Sequence, residues 1–287
     1  MLTNASLARS GSFLAAALSA MTAAMAAQAP DLDSFVARVG ERVRDFYTHA
    51  QSVVCTEKVT LQPINSDLSP AGFARVLEYE LRLEWDAADS DQDLPEARRS
   101  RQLLKVNGRV PRPKDEPGCT DPRSTEPEPL ALLLPQHRED YTFTWNRVRR
   151  LGRRQMTLLD YKLRQAGPLT ASWNKDCVTL AVPVQTKGQI WIDSLTNDVV
   201  RLDESLASSY DYRLPPEHVV GDHLFWGIRR IDTSVRYRPV TFRDPEETML
   251  LPESMETLTI IQGAQSYRKN QEFSNYKRFL TGARIIK

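Results

Sequence analysis

The chain has 287 residues, with 38 basic and 37 acidic side chains and a formal net charge of +1. A balance this even leaves no electrostatic footprint for nucleic acid, so nucleic acid is not an expected partner. Beyond the first segment no apolar run is long enough to cross a bilayer as a helix.

The first segment reads as a targeting signal. Arg9 supplies a positive start, and Phe13 to Ala26 is apolar and small, about the length of a signal core. Ala24-Met25-Ala26 fits the small-x-small cleavage rule, which assigns residues 1–26 to a signal peptide cut before Ala27. An uncleaved anchor is the alternative. Arg9 is the one basic residue of that segment, so 38 basic residues become 37, matching the 37 acidic ones. The expected product is exported, periplasmic or extracellular, and forms one domain over 27–287.

An exported chain can keep disulfides, and three cysteines leave one thiol over. Cys119 lies in a proline-rich loop and Cys177 opens the apolar run CVTLAV. Tying down a long loop favours a disulfide between Cys119 and Cys177, with Cys55 free in a strand. The other two pairings, and three reduced cysteines, remain open.

Leu32, Phe35, Val36, Val39, Val43, Phe46 and Tyr47 repeat at helical spacing, with Asp31 or Asp33 as a cap. One face of that helix must lie on something apolar. Strands follow. SVVCTEKVTL alternates, and RVLEYELRLEW alternates strictly, with Leu77, Tyr79, Leu81, Leu83 and Trp85 in one phase. RQLLKV ends at the turn pair Asn107-Gly108. Residues 111–129 hold six prolines and read as a loop insertion. EPLALLLPQHRED, closed by Pro135, reads as a helical turn or short helix. YTFTW, MTLLDYKL, CVTLAV, QIWID, VVRLDESL, YDYRL, IRRIDTSVRY, METLTII and EFSNYKRF read as further strands, with a second loop insertion at 215–227. The mixture of bases and aromatics in SYRKNQEFSNYKRF reads as alternation at a sheet edge. About ten or eleven antiparallel strands with one long helix predict a mainly β fold. The expected form is a large curved sheet, an open or half barrel, with the N-terminal amphipathic helix on its concave face.

Gly188, the strand ending in Asp193, a polar turn and Val199-Val200-Arg201-Leu202 resemble a hairpin common in the LolA/LolB-like lipoprotein-carrier superfamily. The run from Leu251 to Leu280 is similar to the closing strands of exported bacterial proteins grouped with it, chiefly over residues 273–279. The resemblance implies an unclosed barrel that buries a lipid or other apolar ligand and performs no catalysis. The chain departs from the compact carriers in its length, in its two insertions, and in lacking an alignable carrier arginine or partner-docking loop.

Candidate ligand contacts are Tyr79, Leu81, Leu83, Trp85, Phe143 and Trp145, which would equally well fill a core. Trp191 is a further candidate. Glu57 shares the face of Val53, Cys55, Val59 and Leu61, and there it must be paired, near a rim, or protonated. It is either a rim residue bonded to an arginine or a contact to a ligand head group. Arg147, Arg149, Arg150, Arg153 and Arg154 cluster around Gly152. They make either a solvated hairpin tip or a surface for an envelope protein or an anionic membrane. His218 and His223, with Glu217 and Asp222, fit no common zinc spacing. GxSxG, HExxH, Walker and GxGxxG motifs are absent from the sequence. Asp203-Glu204 and Glu246-Glu247 are adjacent, so on strands their members point to opposite faces. No enzyme activity, cofactor or metal is expected. The competing reading is a structural or protein-interaction module of the envelope with a filled core.

Overall fold

The computed structural model describes residues 31–50, 53–85, 97–115, 117–166, 170–174, 177–181, 185–219, 224–243 and 246–278. Helix α1, Leu32–Ala50, is capped where the Asp31 carboxylate accepts the Ser34 backbone N–H at 3.1 Å and its hydroxyl at 2.7 Å. Those Ser34 bonds hold the Asp31 carboxyl below its ordinary range. One stripe of the helix is buried: Phe35, Val36, Val39, Val43 and Tyr47. Burial is worth about 1.5–3 kcal/mol for each large apolar side chain, which is what holds the helix on the sheet.

Among the described residues fourteen strands follow: β1 (Val53–Ile64), β2 (Arg75–Trp85), β3 (Ala97–Val106), β4 (Thr125–Pro127), β5 (Tyr141–Leu151), β6 (Arg154–Leu163) and β7 (Thr170–Asn174). Then come β8 (Cys177–Ala181), β9 (Thr186–Asp193), β10 (Val199–Leu206), β11 (Tyr210–Arg213), β12 (Phe225–Arg243), β13 (Glu246–Gln262) and β14 (Ser266–Arg278). Twelve of them form one antiparallel sheet in the order β4-β3-β2-β1-β14-β13-β12-β10-β9-β6-β5, with β11 added along β12. The sheet is not closed: β4 and β5 are its two edges, so the fold is an open half barrel. β7 and β8 pair as a separate hairpin.

The two edges are consecutive in the chain, and the segment between them is the apolar stretch Glu128–Asp140. A 3-10 turn, Pro129–Leu133, and a short helix, Pro135–Arg138, form it. Leu130, Leu132, Leu133 and Leu134 are buried in one cluster with the α1 stripe and with Tyr161, Ile190, Ile192, Leu202, Val235 and Tyr237 of the sheet. Contact is close enough that a Cβ added at Gly40 of α1 would sit 2.5 Å from the Leu133 carbonyl oxygen. Helix and linker together fill the concave face.

Three expectations need correction. Residues 111–129 are not loop throughout, because Thr125–Pro127 pairs with Arg98–Ser100 as β4. Residues 215–227 contain a 3-10 turn, Pro216–His218, and β12 begins inside the stretch at Phe225. The polar alternation of β14 marks no edge: β14 lies between β1 and β13 and pairs with both. One of its faces is simply wet.

Candidate functional site: a mouth cavity and a buried ion network

Along β1 the buried residues are Val53, Cys55, Glu57, Val59 and Leu61, so Glu57 points inward, and it is fully buried. On β3, Arg101 stands opposite Leu81, and Leu81 opposite Cys55. The guanidinium therefore reaches diagonally across β2 and grips Glu57 with two bonds, Nε to Oε2 at 2.5 Å and NH2 to Oε1 at 3.1 Å. Gln271 of β14 donates to the same Oε1 at 2.6 Å. Glu126 of β4 accepts from Arg99 and lies 3.1 Å from both the Arg99 and Arg101 guanidiniums. Glu128 stands 3.5 Å from Arg99 and accepts a bond from the Tyr237 hydroxyl at 3.5 Å.

Burial alone would raise Glu126, but Arg101 and Arg99 outweigh it and hold the carboxyl below its ordinary range. Glu128, buried deeper, is raised by desolvation despite Arg99 and Arg101. Desolvation lowers the half-buried Lys269 amine beside them, against the pull of Glu126. Burial, then Glu57, pushes the Cys55 thiol up to about 12. The network thus ties the proline-rich strap to the barrel interior. Each carboxylate of the network lies within 3.5 Å of an arginine, while Arg99 Nε, Glu128 Oε2 and Gln271 Oε1 are buried without a hydrogen-bond partner among the described residues.

The sequence candidates divide. Tyr79 packs with Val59, Leu61, Leu77 and Val106. Leu81 packs with Cys55 and Phe273, and Leu83 with Ala50, Val53, Phe242, Met249 and Leu251. Phe143 lies at the margin of the main core, and Trp145, 40 % exposed, stacks on Phe35 at 4.9 Å. The side chain of Trp85 lies outside the described residues. Trp191 is on the opposite face of β9 from Ile190 and Ile192, with the guanidiniums of Arg149 and Arg201 over its ring at 5.8 and 5.6 Å. Among the described residues these side chains do not line one cavity wall. Glu57 is no rim residue, although an arginine does bind it.

The space between helix and sheet lies at the mouth, where the C-terminal half of α1 meets the ends of the strands. A cavity of about 830 Å³ opens there. Phe46, Val200, Pro239, Met249 and Leu250 give it apolar walls. Arg42, Asp45, Arg153, Arg154, Asp193, Asp198 and Glu247 add charged groups to the same lining. Arg42 binds Asp198 at 2.8 Å, pinning the helix to the β9–β10 turn, and Arg154 stands 4.0 Å from Asp193. The same turn is fixed to β6, since the Ser194 N–H donates to the Gln155 carbonyl at 2.9 Å. Under the helix, between Val43, Leu130, Val199 and Tyr237, a further pocket measures about 20 Å³, the size of a water rather than a ligand.

A broader depression of about 1090 Å³ crosses the outer face of the sheet. Most of the side chains along it are polar or charged, and Arg230 and Gln189 already bond the Asp232 and Asp160 carboxylates within it. Below it, Gly188 leaves room for the Tyr161 ring, whose hydroxyl donates to Glu204 at 2.9 Å on the inner face. Asp203 binds Arg201 on the other face, so the adjacent acids are separated as expected. Pro216–His218 carries His218, while Asp222 and His223 lie outside the described residues.

The residues missed by sequence reasoning are those of the network and the cavity. ARRSRQLLKV shows no clean alternation, so nothing singles out Arg99 and Arg101 as inward-facing. Arg42 and Phe46 read as an ordinary helix.

No protein-family model matches the chain. No curated protein matches it either. Among solved structures, the chain is similar to a LolA superfamily protein from Nitrosomonas europaea, with a TM-score of 0.37 and 8% identity over 84% of this chain and 92% of that one. It is also similar to a putative outer membrane lipoprotein-sorting protein domain from Vibrio parahaemolyticus, with a TM-score of 0.35 and 11% identity over 86% and 94%. The MucA/MucB complex structure from Pseudomonas aeruginosa follows with a TM-score of 0.20 and 10% identity over 84% and 98%.

Proposed function

We propose that the chain is an exported, non-catalytic binding protein that seats one amphiphile in the mouth cavity. The observation that carries this reading is the cavity itself. Its volume of about 830 Å³ falls within the range of small-molecule sites, roughly 300–1,000 Å³. Apolar side chains, among them Phe46, Val200, Met249 and Leu250, and charged ones line it together, which suits a ligand with an acyl-like tail and a polar head. The ligand then lies at the mouth, because α1 and Leu130–Leu134 occupy the deeper concave face. Native mass spectrometry of protein purified from its own host tests this. A co-purifying lipid-like mass supports the seat. A clean apo mass, with no uptake of a fluorescent fatty acid, overturns it.

Export is supported by the signal-like segment 1–26; among the described residues no helix is long and apolar enough to cross a membrane. The same reading includes a disulfide between Cys119 and Cys177. It is supported by the bonded state of Cys119 and by Cys55 being free and buried. A second reading, a protein-interaction module of the envelope, is favoured by the filled concave face.

A further inference from the structure

The β5–β6 hairpin runs past the last β6–β9 pair, Met156 with Asp193. From Thr144 to Gln155 every residue of it is exposed. Pairing of Val148 with Thr157 and of Leu151 with Arg154, with strand alternation, puts Val148 and Arg150 on one face. Arg147, Arg149 and Leu151 take the other. Both faces of this finger therefore carry bare guanidinium beside an exposed aliphatic: Val148 is 57% and Leu151 56% exposed.

Among the described residues, Arg147, Arg149, Arg150 and Arg153 form no ion pair, and Arg154 has only Asp193 at 4.0 Å. In a chain of net charge +1 this is a concentrated local excess. Arg149 instead lies over the Trp191 ring, which stiffens the base of the finger. Beside the finger sits the β9–β10 turn, with Leu195 90% exposed at its apex. Arg153, Arg154 and Leu195 all border the mouth cavity, so both turns end on the side where it opens.

We propose that these two turns dock the mouth onto an anionic lipid bilayer, with Leu151, Val148 and Leu195 entering the interface and the arginines holding headgroup phosphates. Charge selects the occupant: unpaired guanidiniums attract an anionic surface at roughly 1 kcal/mol each. The aliphatics select a bilayer over an acidic protein segment. Such a segment would add to the free backbone edge of β5 and leave the apexes beyond that edge unused. Long arginine stems beside apolar tips suit a surface that is greasy within and charged at its face. The docking does not require the cavity to hold a lipid.

Co-sedimentation of the full chain tests the proposal, with vesicles of phosphatidylcholine alone and of phosphatidylcholine mixed with phosphatidylglycerol. Binding is expected only with the anionic vesicles, and it weakens as salt is raised. Arg147→Gln with Arg150→Gln, both exposed and outside the cavity wall, lowers the partition about twenty-five-fold, at about fivefold per charge. Leu151→Ser lowers it at low and high salt alike. Uptake of a fluorescent fatty acid by the double variant stays unchanged, which separates failure of the docking from failure of the seat. Equal sedimentation with both vesicle types overturns the proposal. So does an unaffected double variant, or capture of an acidic strand peptide without vesicle binding.

Discussion

Glu57 shows how a single carboxylate can organise an interior. It is fully buried, and Arg101 and Gln271 take up its oxygens. Removing one member of a buried pair strands the other, at a cost of about 3–5 kcal/mol. Glu57→Ala should therefore lower the unfolding free energy measured in urea by that amount, while Glu57→Met combined with Arg101→Met should recover most of it. Glu126 adds a pH dependence. Its folded value is lowered, so its contribution is present above the unfolded value and is lost as pH falls through the folded one. Urea unfolding from neutral to acid pH should show that loss, and Glu126→Gln should flatten it while lowering stability at neutral pH. Glu128, raised by burial, works in the opposite sense: it favours folding while protonated, and that contribution is gone once pH rises through its folded value. The Cys55 thiol, pushed up to about 12, should resist a thiol reagent at pH 8 until the chain unfolds. The break in phase at Glu57 was legible in sequence. Its partner was not, because the strand carrying Arg101 has polar residues on both faces and the contact spans 44 positions.

At the scale of elements, α1 and the linker Glu128–Asp140 depend on each other. Gly40 is where they meet, and a side chain there would drive into the Leu133 carbonyl. Gly40→Val should cost about 1–3 kcal/mol through overpacking, or more if the linker is displaced, as read by thermal unfolding. Hydrogen exchange should then rise first in the linker and along α1. Helical periodicity revealed α1, and Pro135 revealed the short turn before it. Long strands such as β2 were legible because one face is wet. The short β4 was hidden by the prolines around it, since strand pairing over three residues leaves no period to read. The position of β14 was hidden for another reason. Alternation reports that one face is solvated, and a strand at the centre of an open barrel has the same pattern as one at the edge.

Across the whole molecule, a barrel whose open edges are consecutive in sequence carries its own filler. The linker that joins β4 to β5 packs against α1 and the sheet, and a cavity of about 830 Å³ opens at the mouth. An open barrel with a helix on its concave face follows from strand count and one amphipathic helix. Where the space remains does not, because it depends on how far the helix and linker penetrate, which side-chain volume decides only after packing. Val200 borders the cavity and takes no part in the buried clusters. Val200→Trp should narrow the seat with little effect on stability. The most direct measurement is titration of a fluorescent fatty acid into the wild-type protein and this variant. The cavity seat predicts saturable binding of one probe per chain, weakened at least tenfold by Val200→Trp. No saturable binding to the wild type, or equal binding by both proteins, would contradict it.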